Sequence, residues 1–291
     1  MNITGRTRLA GIMGWPVTHS RSPALHNFWI AESGVEAAYV PLPVRPDDLP
    51  QALRSLRSLG FRGCNLTLPH KESALSVVDR VEPLARRIGA VNTVVVMPDG
   101  SLEGRNTDAF GFAENLRDSA PGWQPGIAPA VVLGAGGSAR AVVAALCDAK
   151  VPEIRLINRT VGRAELLARD LATAATAIAA YPFERRNALL AGAGLLVNTT
   201  SLGMTGQPEL DIDLSRLPAG AVVADIVYVP LETPLLAAAR QRGYLTAEGL
   251  GMLLHQGRPG FEAWFGTPVR VTRELRAAVL TTFATPRQTR P

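Results

Sequence analysis

The stretch between residues 130 and 163 constrains the fold of this chain more than any other. It contains a short apolar run at 130–133, a glycine-rich turn at 134–139, a helical segment at 140–146 and a second apolar run at 154–157. Strand, glycine turn, helix and strand in this order form a βαβ unit, in which a crossover helix joins two parallel strands. The pattern therefore predicts an α/β domain built on a parallel sheet.

The glycine turn has the spacing of a dinucleotide-binding fingerprint. Its glycines let the backbone turn tightly and approach a pyrophosphate, and the following helix offers unpaired N–H groups. Many tight turns between a strand and a helix bind nothing, but the two flanking strands and the helix favour a bound dinucleotide here. The turn reads Gly134-Ala135-Gly136-Gly137-Ser138-Ala139.

The end of the second strand indicates which dinucleotide is bound. NAD-specific units usually place a carboxylate ~20 residues beyond the glycines, where it binds the ribose 2′-hydroxyl. This chain has Asn158, Arg159 and Thr160 at that point, and Arg163 follows one turn later. A guanidinium forms charge-assisted hydrogen bonds with a 2′-phosphate. The alternative is that both arginines are ordinary solvated side chains; we predict NADP(H).

Composition limits the remaining possibilities. The 291 residues suffice for two domains, and 47% hydrophobic with 19% charged residues argues against disorder. The net charge of +5 is modest, aromatic residues make up 5%, and no basic run is interleaved with aromatics, so nucleic acid is not an expected partner. Without a long apolar run or a signal-peptide pattern, we expect no membrane association and a cytoplasmic protein.

The two cysteines and the C-terminal tail have no expected function. Cys64 and Cys147 lie in apolar surroundings without metal-binding or redox spacing, so we expect two buried, reduced thiols and no metal site. The tail from Ala284 onwards is expected to be frayed.

Lysine is rare in this chain. Of the 30 basic residues only Lys71 and Lys150 are lysines, and a lysine, unlike an arginine, exchanges a proton readily. Lys150 suits the end of a helix, where a cation is favourable. Lys71 follows an alternating polar and apolar run and Pro69, a residue typical of the first helical position, which places Lys71 in the first turn of a helix. It is a candidate acid–base residue; the alternative is an exposed lysine paired with Glu72.

Two further polar groups stand at predicted helix starts. Ser22 precedes Pro23, which is typical of a helix N-cap, whereas Ser20 has no such structural role. Together their hydroxyls would suit a carboxylate ligand. Asp108 also precedes a helical segment, and local signals favour capping as its role.

These residues belong to an ordered series of motifs, on which the chain resembles the shikimate dehydrogenase family along nearly its whole length. The motifs outside the 134–163 region are Ser20-Arg21-Ser22-Pro23, Asn65-Leu66-Thr67-Leu68-Pro69-His70-Lys71, Gly89-Ala90-Val91-Asn92-Thr93, Asn106-Thr107-Asp108, Asn198-Thr199-Thr200, Asp225-Ile226-Val227-Tyr228, and Gly249-Leu250-Gly251-Met252 with Gln256.

The resemblance implies a two-domain α/β fold and a reaction. A discontinuous α/β substrate-binding domain is expected at 1–117 and 249–291, and a Rossmann-like NADP-binding domain at 118–248. The implied reaction is the reversible reduction of 3-dehydroshikimate by NADPH to shikimate, in aromatic amino-acid biosynthesis.

The resemblance also implies roles for individual residues. Ser20 and Ser22 bind the substrate carboxylate, Lys71 and Asp108 carry the acid–base chemistry, and capping becomes secondary for Asp108. The ring hydroxyls are bound by Thr67, Lys71, Asn92, Asp108 and Gln256, with Tyr228 nearby. Cofactor contacts are expected from residues 134–139, Asn158, Arg159, Thr160, Arg163, Ile226 and Gly249.

Alternatives within and outside this family remain. One is a quinate/shikimate or aminoshikimate dehydrogenase. Arg159 argues against it, because NAD-using relatives tend to carry an acidic residue near this position. Ser22 also argues against it, because quinate-using relatives often carry threonine here. Another is an NADP-binding regulator without catalytic activity, against which the intact Lys71 and Asp108 argue. The expected oligomeric state is a monomer or a homodimer.

Overall fold

The computed structural model describes residues 3–283, so the tail from Ala284 lies outside the described residues. The chain divides into two compact units. The first unit comprises the chain up to Thr107 and the stretch from Gln256 onwards, and the second comprises Asp108–His255. The expected α/β architecture with a discontinuous first domain is confirmed. The boundaries expected after residues 117 and 248 stay a prediction; the compact units change at 107/108 and 255/256.

The first unit is built on a six-stranded mixed sheet in the order β2-β1-β3-β5-β6-β4. The β1 strand is parallel to both β2 and β3, whereas β5 is antiparallel to β3 and β6. The carboxyl ends of β1 and β3 therefore lie at the same edge of the sheet. The strands are β1 (Arg8–Gly14), β2 (Ala37–Pro43), β3 (Phe61–Leu66), β4 (Arg80–Val81), β5 (Thr93–Val96) and β6 (Leu102–Arg105).

Helices cover the sheet because their apolar residues recur on one face. In α2, Leu49, Leu53 and Leu56 are buried at a spacing that defines one side of a helix. Gly34, with φ +69°, ends α1 because glycine adopts this left-handed conformation without strain. The helices before residue 107 are α1 (Ser22–Ser33), α2 (Leu49–Ser58), α3 (His70–Ser73) and α4 (Pro83–Ile88).

The second unit contains an all-parallel six-stranded sheet. Its order is β12-β11-β10-β7-β8-β9, which is the dinucleotide-fold order 3-2-1-4-5-6 counted within this unit. The strands β7, β10 and β11 are buried at every residue, which is expected for strands covered on both faces. The strands are β7 (Ala130–Leu133), β8 (Glu153–Asn158), β9 (Ala177–Pro182), β10 (Leu195–Asn198), β11 (Val222–Asp225) and β12 (Leu245–Ala247).

The remaining helices complete the two units. The helix α9 begins in the second unit and ends in the first, and α10 belongs to the first. The helices are α5 (Asp108–Ser119), α6 (Gly137–Asp148), α7 (Val161–Leu171), α8 (Pro234–Gln241), α9 (Gly249–Phe265) and α10 (Arg273–Thr281).

Both cysteines are buried free thiols, as expected. Burial raises the pKa of the Cys64 thiol far above its ordinary value, so this thiol is inert. Over residues 3–283, no helix combines the length and the apolar character needed to cross a membrane.

Candidate active site

Lys71 lies where the sequence places it, in the first turn of a helix. This helix, α3, is only four residues long and begins at His70, so Pro69 is the preceding N-cap residue rather than the first helical one. Two contacts fix α3: His70 Nε2 lies 2.8 Å from the Val44 carbonyl oxygen, and the Lys71 carbonyl accepts a hydrogen bond from Val91 N at 2.8 Å. The backbone of Lys71 is thereby bonded to the residue before Asn92.

The expected carboxylate-binding serines lie together after the carboxyl end of β1. The Ser22 backbone N–H donates to Ser20 Oγ at 3.3 Å, and Ser22 is only 3% exposed. Ser22 is the first residue of α1 and Arg21 is its N-cap, so the expected capping role of Ser22 is off by one position. The second hydroxyl is therefore available for another role.

Thr67 lies beside this region because β3 is the neighbour of β1. Its backbone N–H donates to the Met13 carbonyl at 3.0 Å, and a Cβ on Gly14 would come within 2.4 Å of the Thr67 methyl group. Gly14 thus permits a close approach that a larger residue would prevent. Two predicted substrate groups, Thr67 and Lys71, consequently follow β3 at the edge where β1 also ends.

Three residues of the first unit, Asn92, Thr107 and Gln256, form a buried hydrogen-bonded cluster, the Asn92 group. The Asn92 side chain accepts from Thr107 N at 2.8 Å through Oδ1, and its Nδ2 donates to Thr107 Oγ1 at 3.0 Å and Gln256 Oε1 at 3.3 Å. Because a backbone N–H can only donate, the orientation of the Asn92 amide is fixed. Asn92 and Gln256, two of the expected hydroxyl-binding groups, are therefore in contact although 164 residues separate them.

Asp108 follows Thr107 and is the first residue of α5, one position after the cap that the local signal predicted for it. It is 6% exposed. A buried carboxylate is uncommon unless it has partners or a function.

The glycine turn of the second unit combines a required glycine with two glycines that face open space. Gly134 has φ +108°, and a Cβ there would lie 2.6 Å from Thr199 Oγ1. By contrast, a Cβ on Gly136 or Gly137, at the start of α6, would meet no protein atom within 4 Å. Open space beside a helix N-terminus fits a pyrophosphate, so the residues present suit a dinucleotide.

The predicted 2′-phosphate residues lie at the end of β8. Asn158 Nδ2 donates to the Thr160 carbonyl at 2.9 Å, which shapes the turn into α7. Arg159 and Arg163 are exposed, and within residues 3–283 neither guanidinium forms an ion pair. Both positive charges are thus available for an anionic ligand.

The loops after β10 and β11 are held by a buried carboxylate. Asp225 accepts hydrogen bonds from Asn198 Nδ2 at 3.0 Å, Val227 N at 3.0 Å and Thr233 Oγ1 at 2.7 Å. Burial raises its pKa to about 6, and the three donors oppose the shift. The loop fixed in this way carries Ile226 and Tyr228.

Gly249 packs directly against that loop. A Cβ at this position would lie 2.3 Å from the Ile226 carbonyl oxygen, so only glycine allows the contact. The structure therefore brings together Ile226 and Gly249, two predicted cofactor contacts, within the second unit.

Sequence reasoning assigned no function to several buried polar residues beside these groups. Tyr39 and Asn65 lie next to the Asn92 group, and Asn198 and Asp225 support the second unit's loops. Asn65, Asn198 and Asp225 belong to the family motifs, but Tyr39 has no local signal because it reads as an ordinary strand residue.

Two family models match the chain. One is described as the shikimate dehydrogenase substrate binding domain and matches residues 12–94; the other is described as shikimate / quinate 5-dehydrogenase and matches residues 126–204.

Individual proteins are similar over nearly the whole chain. A shikimate dehydrogenase (NADP(+)) of Paramagnetospirillum magneticum is 58% identical over 96% of this chain and 100% of its own length. The shikimate 5-dehydrogenase of Thermus thermophilus, solved with NADP(H) and shikimate, has a TM-score of 0.82 at 38% identity, covering 94% of this chain and 99% of that one. A Corynebacterium glutamicum quinate dehydrogenase solved with NAD has a TM-score of 0.87 at 32% identity, with the same coverage. This chain therefore belongs to the shikimate dehydrogenase family.

Proposed function

We propose that this chain is an NADP-dependent shikimate dehydrogenase, which reversibly reduces 3-dehydroshikimate to shikimate in aromatic amino-acid biosynthesis. The observation that carries the proposal is the 58% identity to an NADP-dependent shikimate dehydrogenase over 96% of the chain. The exposed, unpaired Arg159 and the open glycine positions at the start of α6 support NADP(H) as the cofactor.

The substrate is assigned to residues of the motifs. Ser20 and Ser22 bind the carboxylate, and Thr67, Lys71, Asn92, Asp108 and Gln256 bind the ring oxygens, with Tyr228 nearby. The contact of Asn92 with Gln256 supports this assignment, because it places two of the assigned amide side chains next to each other although they are far apart in sequence.

Lys71 and Asp108 carry the proton chemistry. NADPH, when bound, supplies the hydride. As the carbonyl of 3-dehydroshikimate becomes an alcohol, its oxygen must receive a proton, and we assign this proton transfer to the Lys71–Asp108 pair. Asn92 and Gln256 orient the ring.

The cofactor is assigned to the second unit. The glycine turn at 134–139 binds the pyrophosphate, and Asn158, Arg159, Thr160 and Arg163 bind the adenosine ribose and its 2′-phosphate. Ile226 and Gly249 contact the cofactor from the loop after β11. A monomer or homodimer in the cytoplasm remains the prediction from sequence.

The proposal is tested with the purified chain by following the absorbance of the reduced nicotinamide. Shikimate, quinate and aminoshikimate are each tested with NADP⁺ and with NAD⁺. The expected result is the highest kcat/KM for shikimate with NADP⁺. A higher kcat/KM for quinate with NAD⁺ identifies a quinate dehydrogenase, and no turnover under any condition indicates a non-catalytic NADP-binding protein.

A further inference from the structure

The first unit contains a buried chain of hydrogen bonds that ends on the Asn92 group. It begins at Tyr39 on β2, whose hydroxyl donates to Asn65 Oδ1 at 2.7 Å. Asn65 Nδ2 donates to Thr93 Oγ1 at 3.0 Å, and the Thr93 hydroxyl donates to Asn92 Oδ1 at 3.0 Å. All four side chains are at most 3% exposed, so each lost bond leaves a polar atom without water.

Backbone groups near Asn92 fix the donor and acceptor of each hydrogen bond in this series. Asn65 Nδ2 also donates to the Asn92 carbonyl oxygen at 3.2 Å, and a carbonyl can only accept. The Asn65 amide oxygen therefore points to Tyr39, where it needs a donor. Burial raises the pKa of Tyr39 well above its ordinary value, so its hydroxyl keeps the proton that it donates.

Tyr39 itself is held firmly. The Asn27 side chain on α1 accepts a hydrogen bond from the Tyr39 backbone N–H through Oδ1 at 3.0 Å, and its Nδ2 donates to the Tyr39 carbonyl oxygen at 2.9 Å. The imidazole of His26 stacks on the phenol ring at 4.1 Å between centroids. These contacts hold Tyr39 at the outer end of the hydrogen-bond chain that leads through Asn65 to Asn92.

We propose that Tyr39 is a positioning residue for the substrate: its hydroxyl holds Asn65 and, through Thr93, Asn92 in the geometry that binds the ring. The inference rests on the proposed function, because it names a determinant of shikimate binding. Tyr39 acts through these partners.

The chain offers a matched control. Tyr244 is a half-buried tyrosine of the second unit, whose hydroxyl donates to the Leu217 carbonyl oxygen at 2.6 Å. Tyr39→Phe and Tyr244→Phe each remove one hydroxyl and one short hydrogen bond while keeping the ring. A general effect of losing such a bond is expected in both variants, whereas a change in substrate binding is expected only in Tyr39→Phe.

The test measures KM for shikimate, KM for NADP⁺, kcat and Tm of the wild type and both variants. We expect Tyr39→Phe to raise KM for shikimate about three- to tenfold, with kcat within about twofold and KM for NADP⁺ unchanged. Tyr244→Phe should lower Tm without changing either KM. The proposal is overturned if both variants keep the wild-type KM for shikimate, or if Tyr39→Phe raises both KM values equally.

A second variant covers the case in which Tyr39→Phe does not fold. Thr93→Val removes the hydroxyl between Asn65 and Asn92 and keeps the side-chain shape, so it should raise KM for shikimate in the same range. An unchanged KM in Thr93→Val overturns the proposal. If the wild-type protein itself does not oxidise shikimate, the proposed function fails. If the wild type is active and Tyr39→Phe has the same KM for shikimate, only the proposed role of Tyr39 fails.

Discussion

Asn198 and Asp225 end two neighbouring parallel strands, and Asn198 Nδ2 donates to Asp225 Oδ1 at 3.0 Å across them. Asn198 Oδ1 in turn accepts from Thr200 N and Thr200 Oγ1, at 3.1 and 2.7 Å. One buried pair therefore shapes the loops after β10 and β11, at the sheet edge where dinucleotide folds bind their ligands.

This pair makes stability depend on pH. Because the pKa of Asp225 rises from 3.8 to about 6 on folding, the native state binds the proton more tightly than the unfolded chain between these values. The contribution of Asp225 to the free energy of unfolding should therefore fall as pH rises through this window, by about 3 kcal/mol in total. Asp225→Asn keeps hydrogen-bonding capacity but removes the titration. The difference in free energy of unfolding between the wild type and Asp225→Asn, measured by urea unfolding at several pH values, should decrease by this amount as pH rises through the window, because the other titrating groups are common to both proteins; a difference that does not change with pH would contradict the assignment.

His26 should produce the opposite slope. It is fully buried among aromatic rings, and burial lowers its pKa from 6.5 to about 3, although Asn65 favours the charged form. The unfolded chain then binds a proton that the native state does not, so the contribution of His26 to the free energy of unfolding should fall as pH decreases below 6.5, by about 1.4 kcal/mol per pH unit. His26→Phe should become more stable relative to the wild type as pH decreases from 7 to 4. A constant difference between the two would refute this prediction.

Arg159 should determine cofactor choice. Arg159→Ala removes an exposed guanidinium at the end of β8, and we expect kcat/KM with NADP⁺ to fall about 10- to 100-fold while the value with NAD⁺ changes little. Arg169→Ala, an exposed arginine in the last turn of α7, removes the same charge and should leave both values unchanged. If the Arg159 variant loses activity equally with both cofactors, Arg159 does not recognise the 2′-phosphate.

Lys71 should be needed for its proton and not only for its charge. Lys71→Arg keeps a cation that does not release its proton, so kcat should fall about 100-fold or more. Lys150→Arg makes the same exchange at the other lysine of the chain and should have no effect. The measurement is steady-state kinetics with shikimate and NADP⁺. A kcat of Lys71→Arg close to the wild-type value would mean that Lys71 contributes only its positive charge to substrate binding.

Two glycines of the same turn should respond differently to alanine. Gly136 has φ −95° and open space where a Cβ would lie, so Gly136→Ala should fold normally but raise KM for NADP⁺ about tenfold or more, because the methyl group occupies the pyrophosphate position. Gly134→Ala should instead lower Tm, because φ is +108° and a Cβ would lie 2.6 Å from Thr199 Oγ1. Thermal unfolding and cofactor kinetics on both variants separate the two roles; a normal KM in Gly136→Ala would exclude that position from the cofactor site.

Local sequence determined the first βαβ segment of the second unit, from β7 through α6 to β8. Hydrophobic runs set its buried strands, and glycines and helix formers set the turn and α6, because each depends on residues within one short segment. The same reasoning placed Lys71 in a helical turn. It placed Pro69 one position too far inside α3, because Pro69 is the N-cap residue and the helix begins at His70.

Only the tertiary structure decided which side chains meet and what surrounds them. The contact of Asn92 with Gln256 and the chain from Tyr39 to Asn92 join residues far apart in sequence, and no local pattern records such a contact. The shifted pKa values of Asp225 and His26 have the same origin. Burial and hydrogen bonding are properties of the packed interior, which many distant segments build together, so they cannot be assigned to any one stretch of the chain.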